Sequence, residues 1–552
     1  MKHVVVFRIP GIKKYVFNTD PLVEIRGASA LLDELNRDTS REFLEKKFEY
    51  VECVYVGGGM GQFIIDAPGE RIDRGMRELV ELFYRETKGG IQLLYGKSPL
   101  EENNYHQAIR NAMYEMELQR DEQVVKPFSP VHTGLVRECM SCSGMASTIQ
   151  LQFDETLILC DICRKKREYG KGKAKDRLWK DLIKPFEKEG INVEQSPDFE
   201  TIGKGCKAKQ GYTALVYADG NGMGKIVDQI ETREQFEFFS NMVDKSIKEA
   251  CGEALFDVFS PRSGKKYDKL PAAVLMLGGD DLMVYLAADR AFSFAIKAAE
   301  KFNEKTKEKF RQYTGKTPFP IKDIAEKGLT ISLGIAYGKT HTPFSILLAQ
   351  AEELLANAKR GGSKDPAAAE WFAPTYIDYH ISTTFNTIDV HDCRKNHLEW
   401  KREMIDDHTG PPSVSNSTPD VEKACKDRIK LYLKPYSLPR AKKLYENVRR
   451  LVESKIPNTR LKRLGWAPFQ ALDNGSLYRG SLECLNLFTR TRKDSHRKTI
   501  QQALEEFDCF SGMPWKKDNG SYSTVLVDLM ELADFFVNHQ AVSKGDNHAS
   551  SY

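Results

Sequence analysis

The stretch Leu275-Met276-Leu277-Gly278-Gly279-Asp280-Asp281-Leu282-Met283 decides how the rest of the chain reads. Two apolar runs, residues 272–277 and 282–287, flank a turn of two glycines and two aspartates. Each run predicts a central strand, so the turn throws both carboxylates out at a sheet edge. Gly and Asp favour turns for conformational reasons alone, and the tetrad by itself specifies little. Its weight comes from an earlier strand run at 212–218, Tyr-Thr-Ala-Leu-Val-Tyr-Ala, which ends on Asp219-Gly220-Asn221-Gly222-Met223-Gly224. A second strand-then-aspartate edge beside the first would bring three acids together.

Outward from this centre, helical sequence is expected at 232–258, 290–311 and 344–359, with strands at 329–337 and 376–381. Leu347, Ala351, Leu354, Leu355 and Ala358 recur at helical spacing. The order β-α-β-β-α-β is ferredoxin-like. The N-terminal region repeats it, with strand 3–9, helix 21–47, strands 51–56 and 62–66 around Gly57-Gly58-Gly59-Met60-Gly61, helix 70–87 and strand 91–95. Val54-Tyr55-Val56-Gly57-Gly58-Gly59-Met60 aligns with Leu275 through Asp281, and Gly59 and Met60 stand where the second copy has its two acids. No aspartate follows the first apolar run where Asp219 follows the second.

The expected fold class is α+β: two ferredoxin-like (palm/cyclase-like) domains, a four-cysteine zinc insert and a helical C-terminal domain. The expected boundaries are a degenerate palm at 1–98, a helical connector at 99–205 with the cysteines at 139–163, and an acid-bearing palm at 206–384. A linker at 385–420 follows, centred on the Pro- and Ser-rich 408–420, and then a helical region at 421–552.

The acids define the chemistry. Mg²⁺ and Mn²⁺ are hard cations that take carboxylate oxygens, water and phosphate. Two such ions about 3.5–4 Å apart serve the attacking and leaving oxygens of an in-line displacement. Asp219, Asp280 and Asp281 are therefore the candidate catalytic and metal-binding residues. Gly220, Asn221, Gly222, Gly224, Gly278 and Gly279 offer backbone to a triphosphate, and Lys359 and Lys364 offer compensating charge. The Gly220–Lys225 run is no Walker A loop: Asp219 stands where its first glycine is needed and Ile226 where Ser or Thr is needed.

Cys139-x-x-Cys142 and Cys160-x-x-Cys163 are spaced for a structural zinc site, with a redox pair as the alternative. The other seven of eleven cysteines are scattered, which fits a reducing, cytoplasmic setting. No secretory leader and no run of about 18 apolar residues is evident, so no membrane partner is expected. Formal net charge is +4, but residues 423–463 carry fourteen Lys and Arg against Asp427, Glu446 and Glu453. RNA phosphate contact and a solvated helix face are both open readings of that run.

These pieces resemble the large palm-domain subunit of type III CRISPR effector complexes, the cyclic oligoadenylate synthase. The resemblance rests on Tyr217-Ala218-Asp219-Gly220-Asn221-Gly222-Met223-Gly224, on Leu277-Gly278-Gly279-Asp280-Asp281, and on Leu333-Gly334-Ile335-Ala336 with Ala351 through Lys359. Ile9-Pro10-Gly11-Ile12-Lys13-Lys14-Tyr15-Val16-Phe17 and Arg26-Gly27-Ala28-Ser29 extend it to the first palm. It implies a nucleotidyltransferase that joins ATP, with one ATP at the three acids and the other, as acceptor, by Gly57, Gly58 and Gly59. It also implies partnership with other CRISPR effector subunits, guide RNA and target RNA. The family's HD nuclease domain has no room before residue 3, so no DNase activity is expected, and His391-Asp392 reads as a turn. A stand-alone nucleotide cyclase of another defence system and a non-catalytic scaffold are the alternatives.

Overall fold

A computed structural model describes residues 1–101, 104–122, 138–144, 148–152, 155–172, 177–260, 269–382, 389–401, 428–454, 456–472, 477–491, 493–509, 514–518 and 521–536. The first sheet runs in spatial order Val51–Gly57, Met60–Asp66, Lys2–Arg8, Leu94–Pro99, with every neighbour antiparallel. The second begins identically, Ala272–Gly278, Asp281–Ala287, Tyr212–Gly220, Ile331–Lys339. Tyr376–Ile381 then adds in parallel, and Tyr436–Ser437, from the C-terminal region, adds antiparallel beyond it. Both sheets thus carry the ferredoxin-like order.

The repeat extends to irregularities. Each first hairpin strand slips register once, between Cys53 and Tyr55 and between Val274 and Met276. The residues bypassed, Val54 and Leu275, are the aligned pair. Each fourth strand carries a glycine against its following helix. A Cβ on Gly96 would lie 2.0 Å from the Ala112 carbonyl oxygen, and one on Gly334 would lie 2.4 Å from that of Ala351. Helices Tyr105–Glu122 and Phe344–Ser363 cross their sheets at those glycines.

The strand Tyr212–Gly220 is buried almost throughout because both faces are covered. Ala214, Val216 and Ala218 share a core with helices Arg233–Phe259 and Ala288–Arg311. Leu215 and Tyr217 share one with Ile25, Ala28 and Leu32 of the first palm and with Leu347, Ala351 and Leu354. Conversely, Val54 and Ile64 of the first palm join the core around Phe236 and Phe239 of the second. Each palm therefore sets a hairpin strand against a helix of the other: Val51–Gly57 against Arg233–Phe259, and Ala272–Gly278 against Leu22–Glu34.

Several expectations change in detail. The strand expected at 91–95 lies at Leu94–Pro99. Thr87 Oγ1 donates to the Phe83 carbonyl and accepts from the Ile91 N–H, so Ile91 is drawn in as a plug behind the helix end. The helix expected at 21–47 is Leu22–Glu34 and Ser40–Lys47 with a π-helical turn, Leu35–Thr39, between them. Asp219 and Gly220 still belong to their strand, and a short helix, Met223–Val227, follows. Residues 390–401 of the expected linker form helix Val390–His397 and strand Glu399–Lys401. His391 and Asp392 occupy the helix's first turn, where the Asp389 side chain accepts both their N–H groups. The Pro- and Ser-rich 408–420 and the basic residues Lys423 and Lys426 lie outside the described residues. The C-terminal region is helical, with a small sheet of Glu399–Lys401, Arg428–Lys430, Ser521–Ser523 and Lys516–Asp518. Among the described residues, no helix is long and apolar enough to cross a membrane.

Candidate active site

Pairing fixes where the acids stand. Leu282 faces Ala218, and continuing that antiparallel register by one residue sets Asp281 opposite Asp219. Gly278 pairs with Asp281 across the hairpin, which leaves Gly279 and Asp280 as its two-residue turn. Gly279 takes φ 61°, a conformation that costs glycine nothing. A Cβ on Gly220 would lie 2.5 Å from Asp280 Oδ2, so that carboxylate leans over a residue with no side chain. All three acids converge.

Like charges directly opposed across a ladder repel. Burial, then Asp219 and Asp281, push Asp280 up to about 7. Burial and Asp219 push Asp281 up to about 6, against the opposing pull of Lys13, Tyr217 and Lys359. Lys359 Nζ donates to Asp219 Oδ2 at 2.5 Å and to the Gly220 carbonyl at 3.0 Å. One lysine against three carboxylates leaves a net negative centre of the kind that divalent cations occupy.

Two side chains that the motif reading passed over belong to this centre. Tyr217 donates its hydroxyl to Asp281 Oδ1 at 3.3 Å. Lys13, from the first palm, lies 4.7 Å above the Tyr217 ring and pairs with Glu352 at 3.5 Å. Both stood in quoted motifs, but nothing in local spacing marks a lysine that acts across to another domain.

The other candidates are placed unequally. Asn221 is buried, and its amide donates to Thr330 Oγ1 at 3.0 Å and to the Ala373 carbonyl at 3.3 Å. Its side chain is therefore committed to holding the loop. Gly222 has φ 70°, and the Trp371 carbonyl would lie 2.0 Å from any Cβ there. Gly224 faces open space. Lys364 is exposed at the C-cap of helix Phe344–Ser363.

The first-palm hairpin meets the second directly. Gly58 and Gly59 both take positive φ, as a type I′ turn requires. Cβ positions on Gly58 and Gly278 would lie 4.0 Å from the Gly279 Cα and the Gly58 N respectively. Helix residues hold both turns. With its amide oriented to satisfy both partners, Asn36 accepts from the Gly59 N–H and donates to the Met60 carbonyl, each at 3.2 Å. Arg37, its neighbour, donates to the Val56 carbonyl at 3.5 Å and to Asp244 Oδ1 at 2.8 Å. Asp244 Oδ1 in turn accepts the Gly279 N–H at 3.4 Å.

The four cysteine sulfurs lie within 4.8 Å of one another, with Cys142 and Cys160 3.7 Å apart. Zinc–sulfur bonds of about 2.3 Å in a tetrahedron place sulfurs about 3.8 Å apart. Cys139 and Cys163 are buried, which suits a closed structural site. The cluster can hold zinc, and it anchors on the first palm. Glu24 accepts from Ser141 Oγ and from Arg167, each at 2.9 Å.

This arrangement defines a two-palm protein whose second palm carries a cluster of three acids. Residues 212–368 match the family model for the second palm domain of Cas10/Cmr2, and the chain is Cas10-like in that palm. No curated protein sequence matches the chain significantly. Among solved structures, it is similar to a Csm1–Csm4 cassette in complex with pppApApA, with 14% identity and a TM-score of 0.56 over 97% of this chain and 69% of that one. Csm1 of T. onnurineus gives 13% identity and a TM-score of 0.56 over 97% and 69%. A Csm1–Csm4 cassette in complex with cA3 gives 15% and 0.55 over 97% and 70%. At such identity the likeness speaks to the fold.

Proposed function

We propose that this chain is a nucleotidyltransferase that joins ATP into cyclic oligoadenylates, working as the palm subunit of an RNA-guided type III CRISPR complex. The observation that carries the reading is the convergence of Asp219, Asp280 and Asp281 beside a second, acid-free copy of the same hairpin. The solved relatives in complex with pppApApA and cA3, and their pairing with Csm4, support the product class and the setting.

The acids fit divalent cations: they are crowded and short of counter-charge, and burial and mutual repulsion raise Asp280 and Asp281. Bound Mg²⁺ or Mn²⁺ would supply Lewis-acid activation of a 3′-hydroxyl and stabilisation of the departing pyrophosphate oxygens. The chain's own groups do the rest. Asp219, Asp280 and Asp281 hold the charge in place at the sheet edge. Lys359 orients Asp219, and Tyr217 orients Asp281. Gly278 and Gly279 leave the hairpin backbone open to phosphate, and Lys13 brings a cation from the opposite palm. The Gly57–Gly59 hairpin presents the second nucleotide, the acceptor. A product ring closes when the growing 3′ end returns to the acid-bearing side.

The test is incubation of the chain, alone and within its target-RNA-bound complex, with each NTP and Mg²⁺, followed by mass spectrometry. Oligoadenylates are expected from ATP. Asp280→Ala with Asp281→Ala should lose all product, and a fully active double variant would sink the assignment.

A further inference from the structure

The two sheets can be superposed residue by residue from their ladders, and the comparison reveals an inverted site. In the first palm Met60 pairs with Gly57 across the hairpin and with Arg8 on the central strand. In the second, Asp281 pairs with Gly278 and stands opposite Asp219. Arg8 is therefore the counterpart of Asp219, and Met60 of Asp281. The helix that follows the fourth strand can be aligned independently. Gly96 abuts the Ala112 carbonyl and the Met116 N, and Gly334 abuts the Ala351 carbonyl and the Leu355 N. Arg120 is one turn beyond Met116 and Lys359 is one turn beyond Leu355, so Arg120 is the counterpart of Lys359.

Where the second palm has three acids and a lysine, the first has Arg8, Gly59, Met60 and Arg120. Glu117 lies between the two arginines, 3.8 Å from Arg8 Nη1 and 2.7 Å from Arg120 Nη1. Both arginine side chains are more than half exposed, at 56% and 58%, so a ligand can reach them. Guanidinium forks bind phosphate oxygens with two parallel hydrogen bonds. With no carboxylate at the hairpin to repel an anion, no divalent cation is needed there.

The geometry points to a metal-independent site on the first palm, built from Arg8 and Arg120, for the phosphates of a nucleoside triphosphate. Glu117 holds the two forks until phosphate oxygens replace its carboxylate. The inference deepens the two-nucleotide reading above and rests on it for the identity of the bound molecule. It explains how one palm can lose its metal ligands and still take a polyanion: fixed cations replace bound ones.

Equilibrium binding of ATP to the full chain in EDTA tests it. Without divalent ions the crowded acids of the second palm repel ATP, so binding reports the first. Wild type should bind one ATP, displaced by inorganic tripolyphosphate. Arg8→Ala with Arg120→Ala should weaken binding at least tenfold, and Arg8→Lys with Arg120→Lys should fall between. Both arginine side chains are exposed, so an unchanged thermal midpoint is expected and rules out misfolding. Wild-type affinity in the double alanine variant, or no binding to wild type in EDTA, overturns the site. Loss of product formation with intact EDTA binding would instead count against the cyclase reading and leave this site standing.

Discussion

Arg37 shows how much can depend on one side chain. Its guanidinium is mostly buried, at 16% exposed, and Asp244, at 11%, is its partner across the palm boundary. Burial raises the Asp244 carboxyl, but Arg37 and Lys248 outweigh it and hold the group below the usual carboxylate range. Removing one partner of a mostly buried pair leaves an undercompensated charge, so Arg37→Ala should cost about 3 kcal/mol, read by denaturant unfolding. A depressed folded-state pKa stabilises the fold above the ordinary carboxylate range, near 4, and the benefit is lost as pH falls through the lower folded value. The variant's stability should therefore fall less steeply on acidification than the wild type's, and an equally steep acid limb would refute the pairing. That the three acids would come together was legible because each lies at the end of a contiguous strand motif. Arg37 was not, since Asp244 lies far away in sequence and local spacing carries no trace of it.

At the scale of elements, the four-cysteine cluster is tied to the hairpins of the two palms through two helices. Helix Asp161–Gly172, which carries Cys163, crosses helix Leu22–Glu34 at paired glycines. A Cβ on Gly27 would lie 1.8 Å from the Lys166 carbonyl oxygen, and one on Gly170 would lie 1.9 Å from that of Val23. These are backbone atoms, which cannot swing aside. Gly27→Ala should push the helices apart and destabilise by about 1–3 kcal/mol, as overpacking does. The same helix runs on into the π-turn that carries Asn36 and Arg37. With zinc held by the cluster, chelating it should raise hydrogen exchange along residues 22–39 as well as around the cysteines. Protection unchanged in 22–39 after verified zinc loss would sever that link. The cysteine spacing was readable from the sequence, whereas the crossing was not: Gly27 and Gly170 acquire meaning only when the two helices meet.

For the whole molecule, the question is what joins the C-terminal region to the palms. Tyr436–Ser437 extends the second sheet, and a buried ionic network seals the joint. Arg394 donates to both oxygens of Asp378, at 2.9 and 2.8 Å. Lys434 reaches Asp528 at 3.4 Å and Glu531 at 2.6 Å. Asp378 is fully buried; burial would raise its carboxyl, but Arg394 and Asn357 hold it below the usual range. Arg394→Ala should cost about 3–5 kcal/mol because it strands that carboxylate. The thermal midpoint should fall by several degrees, while a drop of less than 1 kcal/mol would mean that the pair is solvated. By itself the sequence determined the local grammar of this protein: strand runs, glycine turns, the duplicated hairpin, the loss of acids from its first copy and the paired cysteines. Each is contiguous or periodic, and steric and hydrophobic rules act on neighbours along the chain. The tertiary structure alone decided which elements meet, that Lys13 crosses to Tyr217 and Glu352, that Arg37 bridges the two turns and that Arg8 stands where Asp219 does. Those relations depend on ladder register and helix crossing, which bring together residues that the chain keeps far apart.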